Sequence, residues 1–262
     1  MKTVLLPIFA LVVAFLAFDP TKVLAQSPAP AQDFTYQKPG TLTSPAAGQG
    51  FAGRFIYAPD ILFPIKLADD ERAFVNSQVY SPGGMDGGPG GQCDHVNYNM
   101  PWSDVFCEKR TWSVPLCPTG KGHQGVDIRQ PRCANMASTA VAAEDGKVID
   151  TDSYVSMVKI RGDSGRTYRY LHLEPTSFQV SRNQRVTKGQ ELGKISNLMN
   201  GAHQTTWHLH FDIQANIASV SGGATATFVP PYTSLVAAYR RLKGIPPADS
   251  NGMLNRDPTR EL

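Results

Sequence analysis

The chain has 262 residues, is 41% hydrophobic and 18% charged, and carries a formal net charge of +3 with histidine neutral. These values are ordinary for a globular protein with one sizeable core plus extensions. The charge is too mild for a nucleic-acid binder, and no basic run or aromatic platform points to one, so no nucleic-acid partner is expected.

Met1-Lys2-Thr3 precedes an apolar run from Val4 to Phe18, and Val23-Leu24-Ala25 offers small residues for cleavage. Residues 1–25 are therefore expected to be a secretory signal peptide, too short and wrongly flanked for a membrane span. Its removal takes Lys2, Lys22 and Asp19, leaving 23 cations against 21 acids, or +2. No membrane association is expected afterwards. Residues 26–50 are rich in Pro, Ala, Gln, Ser and Gly and read as a flexible spacer. Residues 51–110 read as an N-terminal extension packed on the main domain, with Phe51, Phe55, Tyr57, Phe63, Phe74 and Tyr80 as contacts. Within it, Ser81–Gly84 and Gly87–Gly91 form a Gly/Pro loop, not a phosphate cradle, because no lysine or helix start follows.

Cys93, Cys107, Cys117 and Cys133 are an even set in an exported chain, so two disulfides are expected. Three connectivities are possible. Pairing of neighbours, Cys93 with Cys107 and Cys117 with Cys133, closes the smallest loops and is the favoured reading.

The main domain is placed at residues 111–231. Ala140–Ala143, Lys147–Asp150, Tyr154–Arg161, Arg166–Leu173, Gln190–Ile195 and Trp207–Gln214 read as short strands separated by turn signals such as Asp145-Gly146 and Gly162-Asp163-Ser164-Gly165. The fold class implied is mainly β, an antiparallel sandwich or coiled sheet. After Pro230-Pro231, the residues Tyr232, Leu235, Val236, Tyr239 and Leu242 fall at helical intervals, so 232–243 is a short amphipathic helix stopped by Gly244. Residues 232–262 are thus a helix and a polar tail.

Trp207-His208-Leu209-His210-Phe211-Asp212-Ile213 carries the strongest signal. In a strand, His208 and His210 share one face while Leu209, Phe211 and Ile213 share the core face. A helix would put the two histidines about 200° apart. His123 and Asp127, four positions apart in a Gly-punctuated stretch, also face one way if that stretch is extended. His123, Asp127 and His210 supply two imidazoles and a carboxylate, a suitable set for hydrolytic Zn2+ with a fourth position left for water. His208 and His172 remain as proton donors or acceptors. His95 and His203 read as surface or structural histidines.

His-x-x-x-Asp at 123–127, Tyr-x-His-Leu at 170–173 and His-Leu-His-Phe at 208–211 resemble peptidase family M23, the lysostaphin/LytM-type zinc endopeptidases. Val186–Gly193 resembles that family's segment between the two histidine motifs, and the likeness covers about residues 117–215. Thr205-Thr206-Trp207 departs from the Gly-containing stretch the family often has there. The resemblance implies a compact LytM-type β fold, metal ligands at His123, Asp127 and His210, and catalytic histidines at His172 and His208. It also implies cleavage of peptidoglycan peptides by an exported enzyme, with the periplasm as the expected compartment and the secreted or cell-wall fraction as the alternative. A second functional expectation is a silent or latent wall-binding module that activates another hydrolase; a third is a peptidase of secreted proteins.

Overall fold

The structure, a computed structural model, describes residues 34–218 and 224–245. The signal peptide expected over 1–25, the spacer residues before Phe34 and the tail from residue 246 lie outside the described residues.

The strands in chain order are β1 (Phe74–Val75), β2 (Val126–Arg129), β3 (Thr139–Val141), β4 (Gly146–Asp152), β5 (Met157–Gly162) and β6 (Thr167–Leu171). They continue with β7 (Arg185–Val186), β8 (Glu191–Lys194), β9 (Leu198–Met199), β10 (Ala202–His203), β11 (His208–Ala218) and β12 (Ala224–Val229). One helix follows, α1 (Tyr232–Leu242). The large sheet has the order β1-β2-β11-β6-β5-β4-β7, with β12 also on β11, while β3-β8 and β9-β10 form two small sheets. All these strand pairings are antiparallel. The mainly β antiparallel fold expected from the sequence is the one observed.

The alternation that predicts the strands also builds the core. Val158, Ile160, Tyr168, Tyr170, Leu209, Phe211 and Ile213 are all fully buried on one face, and Tyr170 packs its ring 5.3 Å from that of Phe211. The turn after β5 closes as its glycines require: Gly165 sits at φ +89° and its N–H donates to the Gly162 carbonyl at 3.0 Å. Strand β11 is long because two partners share one of its edges. Residues 208–211 pair with β2, residues 213–218 pair with β12, and β6 takes the opposite edge.

The helix buries Tyr232, Leu235, Val236 and Tyr239. Arg240 and Arg241 occupy its last turn, where cations suit the exposed carbonyls, and Gly244 follows at φ +64°. This is the expected helix with its expected stop.

Two expectations differ from the structure. The part of the spacer that is described is packed: Phe34 lies edge-on to Trp102 at 4.8 Å, and the Gln37 N–H donates to the Trp102 carbonyl. Aromatic anchors outweigh the polar composition there. The disulfides are Cys93–Cys133 and Cys107–Cys117, with Cα–Cα distances of 5.4 and 5.3 Å. Successive tight turns, Cys117 N–H to Val114 O and Gly120 N–H to Cys117 O, fold Cys117 back onto Cys107. The Gly/Pro loop meanwhile carries Cys93 to the segment just past β2. Tertiary position, not sequence proximity, chooses the pairs.

Candidate metal centre

The centre forms where β2 crosses to β11. In an antiparallel pair, residues directly opposite share a face, and the register sets His210 opposite Asp127 and His208 opposite Arg129. His123 reaches the same place from the loop before β2. That loop approaches closely because Gly125 has no side chain: a Cβ there would lie 2.5 Å from the Phe211 carbonyl oxygen and 2.9 Å from His210 Nε2.

Three donor atoms converge. His123 Nε2 lies 2.9 Å from His210 Nδ1, and Asp127 Oδ1 lies 3.1 Å from His210 Nδ1 and 3.4 Å from His123 Nε2. Tetrahedral coordination with zinc–ligand arms of 2.0–2.1 Å needs donor separations of about 3.3 Å. The other ring nitrogens fix the tautomers. His123 Nδ1–H donates to the Val105 carbonyl at 3.0 Å, and His210 Nε2–H donates to the Asp212 carboxylate at 3.2 Å. In the neutral rings His123 Nε2 and His210 Nδ1 are therefore bare lone pairs, aimed at each other and at a carboxylate oxygen. Such a cluster is mutually repulsive until a proton or a metal ion sits in it, and the three side chains are able to hold a metal ion.

The remaining two histidines stand beside this triad. His208 Nε2 is 3.4 Å from Asp127 Oδ1, and its Nδ1–H donates to the Thr206 carbonyl at 2.8 Å. The His172 ring centre lies 4.6 Å from that of His208, and His172 Nδ1–H donates to the Leu198 carbonyl at 2.9 Å. Strand alternation would send His172 to the core with Tyr168 and Tyr170. It leaves the strand instead at φ +64°, a left-handed conformation that costs a non-glycine residue on the order of 1 kcal/mol. That turn is what brings its ring to the site.

All five side chains belong to residues only 2–8% exposed, so their charges act in a poorly solvated setting. Burial alone would raise the Asp127 pKa, but the imidazoles of His123 and His208 outweigh it and hold the carboxyl well below the usual carboxylate range. Burial drives His172 well below the ordinary imidazole value, helped by the like charges of His208 and His210, so it is neutral near pH 7. For His210, burial pulls downward and is overcome by hydrogen bonds to Asp127 and Asp212, which raise its pKa.

The structure thus brings together all five residues singled out from the sequence and leaves His95 and His203 apart. His95 faces Asp94, and His203 faces the Asn197 side chain. Asp212 was not singled out, although alternation already placed it on the face of His208 and His210. It is fully buried and takes the Nε–H of Arg169 on both oxygens, at 3.0 and 2.8 Å. Arg169 also donates to Gln124 Oε1 at 2.8 Å. This outer pair fixes the ring of His210.

Residues 121–221 match the model of peptidase family M23. No curated protein sequence matches the chain. Among solved structures, the chain is similar to a protein from Ruminococcus gnavus assigned as a glycyl-glycine endopeptidase, lytM. The identity is 20%, over 70% of this chain and 62% of that one, with a TM-score of 0.44. It is also similar to the catalytic domain of the antimicrobial peptidase lysostaphin from Staphylococcus simulans, at 25% identity over 41% of this chain and 77% of that one, TM-score 0.31. A zinc-containing peptidase from Vibrio cholerae is similar at 22% identity over 47% of this chain and 35% of that one, TM-score 0.30. The chain therefore spans less than two thirds of the Ruminococcus protein. The match to the peptidase family M23 model spans residues 121–221, less than half of the chain, and the likeness to that family rests on it.

Proposed function

We propose that the chain is an exported zinc metalloendopeptidase that hydrolyses peptide cross-links or stem peptides of bacterial peptidoglycan. The observation that carries this reading is the convergence of His123 Nε2, Asp127 Oδ1 and His210 Nδ1 beside two further histidines, His172 and His208, whose Nδ1 atoms are the ones taken up by backbone carbonyls. When bound, a zinc ion supplies a water of lowered pKa and polarises the peptide carbonyl.

The chain's own groups do the rest. His123, Asp127 and His210 form the ligand set. His208 and His172 each offer Nε2 as a proton acceptor, orient the attacking water, and return its proton to the leaving amine nitrogen. Asp127, ionised by its surroundings, stabilises the imidazolium that His208 becomes. Beyond Asp212 on the same face of β11, Gln214 lines a cavity of about 530 Å³ with Leu116, Ile217 and Phe228.

The apolar leader and the two disulfides support export, with the periplasm as the compartment proposed. Among the described residues, no helix is long and apolar enough to cross a membrane. The test is release of soluble muropeptides from purified sacculi by the zinc-loaded protein, its loss on chelation and its return with added zinc. Protein that holds zinc and releases nothing would reject the reading.

A further inference from the structure

A polar network lies buried between the N-terminal region and the catalytic face. Arg129 follows Asp127 by two positions on β2, opposite His208, and is fully buried. Its hydrogen bonds go to neutral groups. Nε–H donates to Asn76 Oδ1 at 2.9 Å and a terminal N–H donates to the Gln92 carbonyl at 3.2 Å. The other terminal nitrogen has no hydrogen-bond partner among the described residues, and the guanidinium lies 5.9 Å over the Tyr98 ring. A buried guanidinium serving amides demands an explanation, because desolvating it is costly.

The donor and acceptor roles supply one. Arginine only donates, so Asn76 must present its oxygen to Arg129. Asn76 Nδ2 then donates to the Asn97 carbonyl at 2.8 Å. Gln78 Nε2 donates to both the Asn76 carbonyl and Asn76 Oδ1, at 3.1 and 3.2 Å. That commits the Gln78 oxygen to the opposite side, where it accepts the hydroxyl of Thr206. With its proton spent there, Thr206 Oγ1 has only lone pairs to offer His208 Nδ1, 3.1 Å away. The Thr206 carbonyl, also an acceptor, lies 2.8 Å from the same nitrogen. Both neighbours of Nδ1 accept, so Nδ1 carries the proton and Nε2 is left bare toward the metal centre.

We propose that Gln78, which lies outside the family-matching region, is a positioning residue for His208. The directed chain Arg129–Asn76–Gln78–Thr206 locks the imidazole as its Nδ1–H tautomer. The Trp207 N–H donates to Gln92 Oε1 at 2.8 Å, and the Cys93–Cys133 bridge ties that loop to the segment after β2. The N-terminal region is by this account part of the catalytic apparatus. The inference rests on the reading of His208 as the proton carrier.

The experiment compares Gln78→Leu with the double variant Gln78→Leu/Thr206→Val in the full chain. Gln78→Leu frees the Thr206 hydroxyl proton to compete for His208 Nδ1 and should lower kcat about 10-fold or more, with KM within about twofold and bound zinc unchanged. The double variant removes that hydroxyl, keeps the Thr206 carbonyl as acceptor and should recover most of kcat. Long-range proton–nitrogen NMR spectra of the His208 ring should show the Nδ1–H tautomer in the parent and a mixed population in Gln78→Leu. Undiminished kcat in zinc-loaded Gln78→Leu, an unaltered His208 tautomer in it, or no recovery in the double variant would overturn the inference. A loss of activity that merely tracks lost zinc would overturn it too. His208→Ala separates the two levels: if that variant turns over normally, the underlying reading falls first.

Discussion

Residues 126–218 and residues 34–110 belong to one core, yet they reach it by different routes. The first stretch is a run of paired strands whose apolar core positions alternate with polar ones, from Val126 and Ile128 to Leu209, Phe211 and Ile213. The second has one two-residue strand, β1, and is held by aromatic clustering and single hydrogen bonds. Trp102, fully buried, lies 4.8 Å from Phe34, 5.9 Å from Phe63 and 4.7 Å from Tyr239 of the helix. Its indole N–H donates to the Ala73 carbonyl at 2.9 Å, and its own carbonyl accepts the Tyr232 hydroxyl at 3.0 Å. A region without repetitive structure can thus be as firmly committed to the core as a sheet, provided its polar backbone finds partners.

The largest effect expected separates chemistry from fold within the strand region. His210→Ala removes one of three converging donors from a position whose backbone ladder does not need the imidazole. Activity should fall about 1,000-fold or more, as for loss of a group at the centre of a catalytic set, and bound zinc should disappear. The far-ultraviolet circular dichroism should stay as in the parent. Loss of the β signal would mean that the metal organises the sheet.

The second prediction tests whether the aromatic region is truly part of the same cooperative unit. Trp102→Ala deletes the indole that joins Phe34, Phe63 and Ala73 to the helix. It should cost about 3–5 kcal/mol and lower the melting midpoint by roughly 10 °C. Calorimetry should still show one transition. Two separate transitions would break the comparison, because residues 34–110 would then be an independent layer.

The contrast also explains what could be read in advance. Strands β4, β5, β6 and β11, the helix and His123, Asp127, His208 and His210 follow from periodicity and spacing, since the sequence repeats what the backbone geometry repeats, whereas His172 comes from the resemblance to the family motif. β12 was missed because Ala224-Thr225-Ala226-Thr227 gives little contrast between faces. The disulfide pairing departs from the expected one because Cys93 and Cys133 are 40 positions apart and only tertiary structure brings them together. Asn76 and Gln78 carried no signal at all, since an isolated buried amide has no period. His172 was legible as a residue but not as a geometry: its positive φ is imposed by the surroundings.

The third prediction concerns the loop at the junction of the two regions. Cys107 N–H donates to the His123 carbonyl, His123 N–H to Glu108 O, and Lys109 N–H to Ala47 O. Replacing Cys107 and Cys117 together by Ser opens a bridge of sequence separation 10, worth about 3 kcal/mol on loop-closure arguments. The doubly substituted protein should also bind zinc more weakly in competition with a chelator, because His123 loses its anchored loop. Unaltered zinc affinity would assign the bridge to stability alone.

The smallest effect comes from two Arg–carboxylate pairs of similar chemistry in different solvents. Arg169 and Asp212 meet under cover, with Asp212 fully buried and Arg169 4.7 Å over the Phe228 ring, so both are fixed. Arg185 and Asp163 meet at 2.7 and 2.8 Å in the open, with side chains 64% and 53% exposed. Water screens that second pair and the ordering of two long side chains offsets much of what is left. Asp163→Asn should therefore leave the melting midpoint at pH 7 unchanged within scan reproducibility. The hydrogen bond from Arg185 depresses the Asp163 pKa below its ordinary value. Whatever stability the pair adds is thus present above the unfolded carboxyl pKa and is lost as pH falls through the lower folded value. Parent and variant should be indistinguishable below that point, and any gap between their midpoints should open only on the neutral side. A gap that widened in acid would show that Asp163 supports the turn after β5 through its protonated form, and the exposed pair would have to be regarded as part of the fold.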